Sequence, residues 1–458
     1  MRFLPRAAFV AALLAPVAAP MAAMAQVAPI AGDWYGTLDV GVKLPLVFHL
    51  QPDGTATVDS LAQKVTGLKA TATLAGDQLT LTLTTPAASF EGKVAGDRKS
   101  ISGQWLQNGG QLPLKLERTP QVVVAPKRPQ TPQPPFPYRA EDVAYTNPAS
   151  GLKLAGTLTL PPGEGPFPVA LLITGSGPQD RDETIFDHKP FLVLADALTR
   201  RGVAVLRVDD RGVGGSQPGD IFNATTLDFA TDVAAGVAYL RGRKDIDPAR
   251  VGLIGHSEGG VVAPLVAAKD PRLAFVVLMA GTGVPGDQVL PLQYHDIYAA
   301  SGAGETVAAK QASVIAAANA IVAAEPDQTK AKPLLLKTLA EGSGAQNAQA
   351  LTELMNSTWY RAFVTLDPAK ALSQVRAPVL AVNGSKDTQV SAAANIPAIK
   401  AALAGNPDAT TLVLPGLNHL FQTAKTGAPT EYVGIEETLA SSALSTIVDW
   451  TVAHAAKR

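Results

Sequence analysis

Gly255-His256-Ser257-Glu258-Gly259 sets a serine between glycines. The short apolar run Val251 to Ile254 precedes it, and a plausible helix, Gly260 to Lys269, follows. Strand, sharp turn and helix are the setting that a G-x-S-x-G nucleophile elbow requires. The glycines let the chain reverse tightly and leave room beside the serine, whose hydroxyl then stands exposed at the sheet end with a helix N-terminus behind it. The chemistry this suggests is acyl transfer to a serine hydroxyl. The plain alternative is an ordinary serine in a glycine-rich turn.

A serine needs a base to take its proton, and the base needs a carboxylate to fix its tautomer. Where a G-x-S-x-G elbow carries the nucleophile, the partners follow in the chain order serine, acid, histidine. Asp387 comes after the apolar run Val379 to Val382, in Asn383-Gly384-Ser385-Lys386-Asp387, and His419 comes after Leu412 to Leu414, in Pro415-Gly416-Leu417-Asn418-His419. Both fall just past a predicted strand's C-terminal end, where open α/β sheets carry their sites. The chain has six histidines, and His49, His188, His256, His295 and His454 lack that combination of order and placement. A turn aspartate and a loop histidine are the bland readings. Asp367 is the nearest rival acid, but Asp367-Pro368 reads as the exit from a helical insertion.

A tetrahedral intermediate also needs donors at its oxyanion. One is expected from the backbone N–H of Glu258. The second is expected from the loop after the run Val169 to Thr174, from Gly177 or alternatively Ser176 in Gly175-Ser176-Gly177-Pro178. The Glu258 carboxylate is given no catalytic part. Asp180-Arg181-Asp182 in the same loop reads as a salt-bridged brace before it reads as a pocket wall. Val208 to Ser216 holds a G-x-G-G cluster, but it lacks G-x-G-x-x-G spacing and a helix directly after it, so a nucleotide site is not expected. No H-E-x-x-H and no dense His/Asp/Glu cluster occurs, so no metal site is expected.

These residues need elements to hold them. From residue 139 to 458, short apolar runs alternate with helical segments such as Phe191 to Arg201 and Leu227 to Arg241. Strands apolar throughout and separated by helices imply a mainly parallel sheet covered on both faces. Val143 to Thr146 and Leu152 to Leu160 read as a hairpin opening that sheet. Residues from about 285 to 375 are Ala-rich and helical, an inserted cap before the last two strands that is expected to wall the pocket. Residues 26–119 look all-β: Leu79 to Thr84 alternates strictly, and turn signals such as Pro52-Asp53-Gly54 and Gly96-Asp97 separate short runs. A small antiparallel barrel or sandwich is predicted there, its Trp34 and Trp105 buried in a core rather than stacked on a ligand. Pro120, Pro126, Pro129, Pro132, Pro134, Pro135 and Pro137 mark residues 120–138 as an extended linker between domains.

The chain of 458 residues exceeds one ordinary core, consistent with that division. A formal net charge of −1 gives no field to gather nucleic acid or an anionic membrane. Arg2 and Arg6, the apolar run Ala7 to Ala15 and the small-x-small Ala23-Met24-Ala25 read as a signal peptide over residues 1–25, cleaved before Gln26. A periplasmic or secreted protein is therefore expected, with no further stretch apolar for long enough to cross a membrane. The chain has no cysteine, which excludes a thiol nucleophile, thiolate metal sites and disulfides.

The stretch 139–458 resembles the α/β-hydrolase superfamily. More narrowly, Gly175-Ser176-Gly177-Pro178-Gln179-Asp180-Arg181-Asp182 paired with Gly255-His256-Ser257-Glu258-Gly259-Gly260 resembles the EstD-type bacterial esterases. That resemblance implies a carboxylesterase for short acyl chains with a Ser-Asp-His triad, carried here by Ser257, Asp387 and His419, and no cofactor. Gly175 stands where many superfamily members have a His-Gly pair. The alternatives are a serine peptidase or aminoacyl hydrolase, since the same triad cleaves amides, and an inactive hydrolase fold serving as a binding module. A small-molecule ester is the expected partner; oligomeric state is not legible.

Overall fold

The computed structural model describes residues 27–39, 43–60, 65–83, 88–107, 110–120, 126–219, 223–343 and 345–456. The expected signal peptide and its cleavage site lie outside the described residues.

The N-terminal strands form a closed antiparallel barrel: β1 (Gly32–Asp39), β2 (Lys43–Leu50), β3 (Thr55–Ser60), β4 (Val65–Ala75), β5 (Gln78–Leu83), β6 (Ala88–Val94), β7 (Ser100–Gln107) and β8 (Gly110–Glu117). Each pairs with the next, and Tyr35↔Glu117 and Gly36↔Leu116 close β1 onto β8. Of the two architectures predicted, it is the barrel. Leu79, Leu81 and Leu83 point inward as their alternation requires, joining Trp34, Phe48, Phe90 and Trp105 in one core. Both tryptophans are buried, and the Trp34 indole N–H donates to the Ile30 carbonyl.

The second unit is an eight-stranded sheet in the order β16-β15-β14-β13-β11-β12-β10-β9. Its strands are β9 (Arg139–Thr146), β10 (Lys153–Leu160), β11 (Phe167–Ile173), β12 (Ala204–Val208), β13 (Ile246–His256), β14 (Val276–Met279), β15 (Val379–Gly384) and β16 (Ala409–Leu414). The hairpin β9–β10 is antiparallel, β10 also runs antiparallel to β12, and every pairing from β12 through β16 is parallel. Helices cover both faces. On one, α2 (Thr226–Arg241), α3 (Gly259–Ala267) and α10 (Ala392–Ala402) bury residues such as Val233, Val262 and Ile399 against Leu171 and Leu253. On the other, α1 (Pro190–Arg200) and α11 (Ser441–Ala455) bury Leu194 and Ile447 against Leu172 and Ile254. The chain leaves β11 for β12 on one side and returns to β13 on the other. The strand order therefore reverses at β11, and the crevice at the C-terminal ends of β11 and β13 is where such a sheet binds ligands.

Six helices sit between β14 and β15: α4 (Gly286–Ala300), α5 (Glu305–Ala324), α6 (Gln328–Ser343), α7 (Ala345–Asn356), α8 (Thr358–Val364) and α9 (Pro368–Leu372). α4 to α8 share a core of their own that includes Ile315, Leu335, Met355 and Tyr360, whereas α9 places Leu372 in the core of the sheet. One expectation needs correction here. Helix α5, with 20 residues and a mean hydropathy of 1.5 in its best window, does meet the length and composition of a membrane span. Alanines spread over the whole helix raise its hydropathy without forming a long branched-apolar run. Its face Ala308, Ile315, Ala318 and Val322 is buried within the cap.

The proline-rich stretch also differs from a free-standing spacer. Over residues 126–138 it is pinned to the second unit by side chains between the prolines. The Arg128 guanidinium donates to the carbonyls of Phe186, Val433 and Ile435, and Gln130 pairs with the Thr438 and Leu439 backbone. Tyr138 donates to Asp196.

Candidate active site

β13 ends at His256, α3 begins at Gly259, and Ser257 lies between them with φ +53°. That left-handed conformation costs about 1–3 kcal/mol in a non-glycine residue and persists only where the surroundings enforce it. The flanking glycines are the enforcement. A Cβ on Gly255 would sit 2.0 Å from the Gly259 carbonyl oxygen, and one on Gly259 would sit 2.2 Å from that of Ile173. The turn is thus too tight for any side chain at either position. Ser257 itself is half-buried, and its N–H donates to the Met279 carbonyl.

Asp387 and His419 meet directly. His419 Nδ1 lies 2.8 Å from Asp387 Oδ2, with both side chains buried. Asp387 Oδ1 accepts the N–H groups of Gln389 and Val390, each at 2.8 Å, which fixes the orientation of the side chain. With Nδ1 committed, Nε2 is left as the ring's basic nitrogen. The rival Asp367 caps α9 through the Ala369 N–H and takes no part.

His256 links the elbow to the histidine loop. Its Nε2 lies 3.0 Å from the His419 carbonyl oxygen, and the two imidazole rings are 4.8 Å apart. Its Nδ1 lies 2.9 Å from Glu183 Oε1, which also accepts the Gly175 N–H at 2.7 Å. Burial alone would lower the His256 pKa, but the charge and hydrogen bond of Glu183 outweigh it and hold it above 6.5.

The loop expected to offer an oxyanion donor approaches the serine: a Cβ on Gly175 would sit 3.3 Å from that of Ser257. Glu258 occupies the N-cap of α3, where backbone amides go unpaired. Its N–H, like those of Ser176 and Gly177, meets no acceptor among the described residues. The Gly175 amide is spent on Glu183, which leaves Ser176 and Gly177 as the loop's available donors. Asp210 holds that loop at both ends: Oδ1 accepts the Thr174 hydroxyl at 2.8 Å and Oδ2 the Gln179 N–H at 2.9 Å. Burial, together with repulsion from Glu183 and Glu258, pushes the Asp210 carboxyl up to about 7 against the pull of those bonds. The Asp180-Arg181-Asp182 segment is the brace. Arg181 pairs with Asp209 and Asp142, and Asp182 with Lys189 and Arg207. Asp209, in the glycine-rich stretch, accepts the Gly215 N–H as well.

The Glu258 side chain runs the other way, toward the cap. Its Oε1 accepts the Thr226 hydroxyl at 2.7 Å and the Trp359 indole N–H, from α8, at 2.9 Å. Burial pushes this carboxyl up despite both bonds. Alongside lies a cavity of about 60 Å³ lined by Thr174, Gly175, Gly177, Asp210, Phe229 and Glu258, among others. Neither Ser257 nor His419 lines it, and no cap residue does. The cap reaches this region through Trp359, and its Gln293 lies against Gln389, whose backbone N–H donates to Asp387. Among the described residues no group of His, Cys, Asp and Glu is placed to hold a metal ion.

Glu183, His256, Asp210 and Trp359 were not singled out by sequence reasoning. The usable signals were slight: an acid just after the Gly-Ser-Gly loop, and a histidine inside the elbow.

A mainly parallel sheet, a strained serine turn at its switch point and a helical insertion before the last two strands define an α/β-hydrolase. The chain belongs to the X-Pro dipeptidyl-peptidase (S15) family, whose model matches residues 150–419, more than half of its length. It is similar to Esterase EstD of Thermotoga maritima, 29% identical over 288 residues, covering 61% of each chain. It is also similar to the uncharacterized protein Rv2307c of Mycobacterium tuberculosis, 32% identical over 127 residues, covering 28% of this chain and 41% of that one. The chain thus spans about three fifths or less of the length of these relatives. Among solved structures, the α/β hydrolase GrgF from Penicillium aligns with TM-score 0.45 at 15% identity, over 70% of this chain and 100% of that one. A Pyrococcus furiosus esterase aligns with TM-score 0.41 at 16% identity, over 64% and 91%.

Proposed function

We propose that this chain is a serine hydrolase that cleaves carboxylic esters with small or short acyl groups through an acyl-enzyme. The observation that carries the reading is the buried Asp387–His419 pair, 2.8 Å apart, whose histidine carbonyl lies 3.0 Å from the ring of His256, the residue before a serine at φ +53°. In this scheme Ser257 Oγ attacks the ester carbonyl while His419 Nε2 takes its proton, and Asp387 stabilises the imidazolium without accepting the proton itself. The carbonyl oxygen, now negative, is met by the N–H groups of Glu258 and of Gly177 or Ser176. His419 then gives its proton to the departing alkoxide. Water enters, His419 takes a proton from it, and the hydroxide displaces Ser257 from the acyl group as His419 returns that proton to Ser257 Oγ. Similarity to Esterase EstD supports the ester as substrate.

Membership of the S15 family favours a second reading, in which the same residues cleave an amide. Turnover of p-nitrophenyl esters from acetate to palmitate, with Ser257→Ala alongside, tests both. Short esters should be hydrolysed, and Ser257→Ala should lower kcat by about 10⁴–10⁶. A folded protein inert toward every ester, yet active on an aminoacyl p-nitroanilide, would move the assignment to the amide.

A further inference from the structure

The ring of His256 has an acceptor at each nitrogen: a carboxylate oxygen of Glu183 at Nδ1 and a backbone carbonyl, that of His419, at Nε2. A neutral imidazole carries one proton and can donate to only one of them. With Glu183 as the acceptor-only carboxylate, both contacts are made at once only if the ring is the doubly protonated imidazolium. Its counter-ion is then Glu183, and both side chains are buried. A lone buried charge would not persist there, whereas a paired and hydrogen-bonded one does. Glu183 holds a left-handed backbone, φ +52°, to make the contact.

The pair does not touch the cap or the Glu258 carboxylate. What it joins is the reacting machinery at its backbone. Glu183 Oε1 holds the Gly175 N–H, at the root of the loop that offers the second oxyanion donor. His256 immediately precedes Ser257 and holds the carbonyl of His419 itself. Three segments far apart in sequence are thereby fixed to one ion pair. The other titratable groups around it are His419 and Asp387 from the loops after β16 and β15, and Asp210 from the end of β12; Phe421 packs its ring edge against His256.

We propose that the Glu183–His256 ion pair is a positioning device that sets the oxyanion loop, the nucleophile and the catalytic histidine in register with one another. It acts through His419 and the loop, not on the substrate. Its loss therefore falls on the chemical step, where a misplacement of about 1 Å costs roughly 10²-fold. The inference rests on the acyl-transfer reading.

The full-length chain and its Glu183→Gln, His256→Gln and double variants are assayed on p-nitrophenyl butyrate. Each single variant should lose at least 30-fold in kcat with KM within 3-fold. The double variant should be no worse than the poorer single, because either change already breaks the unit. A kcat within 3-fold in Glu183→Gln, a loss confined to KM, or losses that multiply in the double variant would each overturn the proposal. Should the variants fail to fold, ¹⁵N-histidine NMR of the unaltered chain decides the matter. His49 and His295 also have a carboxylate at each ring nitrogen, so their signals are first removed by His49→Gln and His295→Gln; a further ring protonated on both nitrogens at pH 8 is expected, and its absence overturns the pair. Turnover in the unaltered chain that survives Ser257→Ala instead overturns the acyl-transfer reading, so the two failures are told apart.

Discussion

At Asp210 the loop that offers oxyanion donors depends on a carboxyl with a pKa of about 7. That value lies above its ordinary 3.8, so the folded chain binds this proton more tightly than the unfolded one. The contribution to stability is full below about pH 4 and is lost as pH rises through 7. The advantage of the unaltered protein over Asp210→Asn should accordingly shrink between pH 5 and pH 8, as followed by thermal melts in matched buffers. A gap that widened with pH would mean that Asp210 ionises readily in the fold. At this scale the sequence was legible where placement follows chain order: Asp387 and His419, each expected just past a strand, do meet, and Ser257 does sit on a strand-to-helix turn. Glu183, His256 and Asp210 were not legible. Their roles arise where loops separated by many residues converge, and no local spacing encodes that convergence.

The elements were legible wherever a periodicity or a cap marks them. Thr225 forms a capping box with Asp228 at the start of α2, and the predicted helix over Leu227 to Arg241 falls within one residue of it. The apolar runs became strands, although β13 extends back to Ile246 through a polar stretch, Asp247 to Arg250, that alternation could not identify. In the barrel, the choice between closure and a sandwich was not legible, because both use short alternating strands. Closure is a matter of register. Gly103 faces Gly92 across β6 and β7, and a Cβ there would lie 2.0 Å from the Glu91 carbonyl oxygen. Gly103→Ala should therefore destabilise the barrel by about 1–3 kcal/mol through overpacking, visible as a lowered melting transition, while ester turnover by the other unit persists.

For the whole molecule, proline density located the boundary but not how the linker is held. Its grip comes from Arg128 and Gln130, ordinary polar residues whose partners lie 58 positions on at Phe186 and 305–309 positions on at Val433, Ile435 and Leu439. Removing the Arg128 guanidinium orphans the carbonyls of Phe186, Val433 and Ile435, which enclose the segment carrying His188. Arg128→Ala should cost about 2–3 kcal/mol and lower the melting temperature of the catalytic unit rather than that of the barrel. Differential scanning calorimetry, which resolves the two transitions, would expose the opposite assignment.

The chain carries four tryptophans. Trp34 and Trp105 are sealed in the barrel, and Trp450 stacks on His454 in the last helix. Trp359 alone hydrogen-bonds the residue that follows Ser257. The molecule therefore carries a built-in optical gauge. Any event that moves Glu258 or lifts the cap alters the polarity around a single indole, while the other three supply a constant background. Stopped-flow emission can then time cap movement against the chemistry without any label.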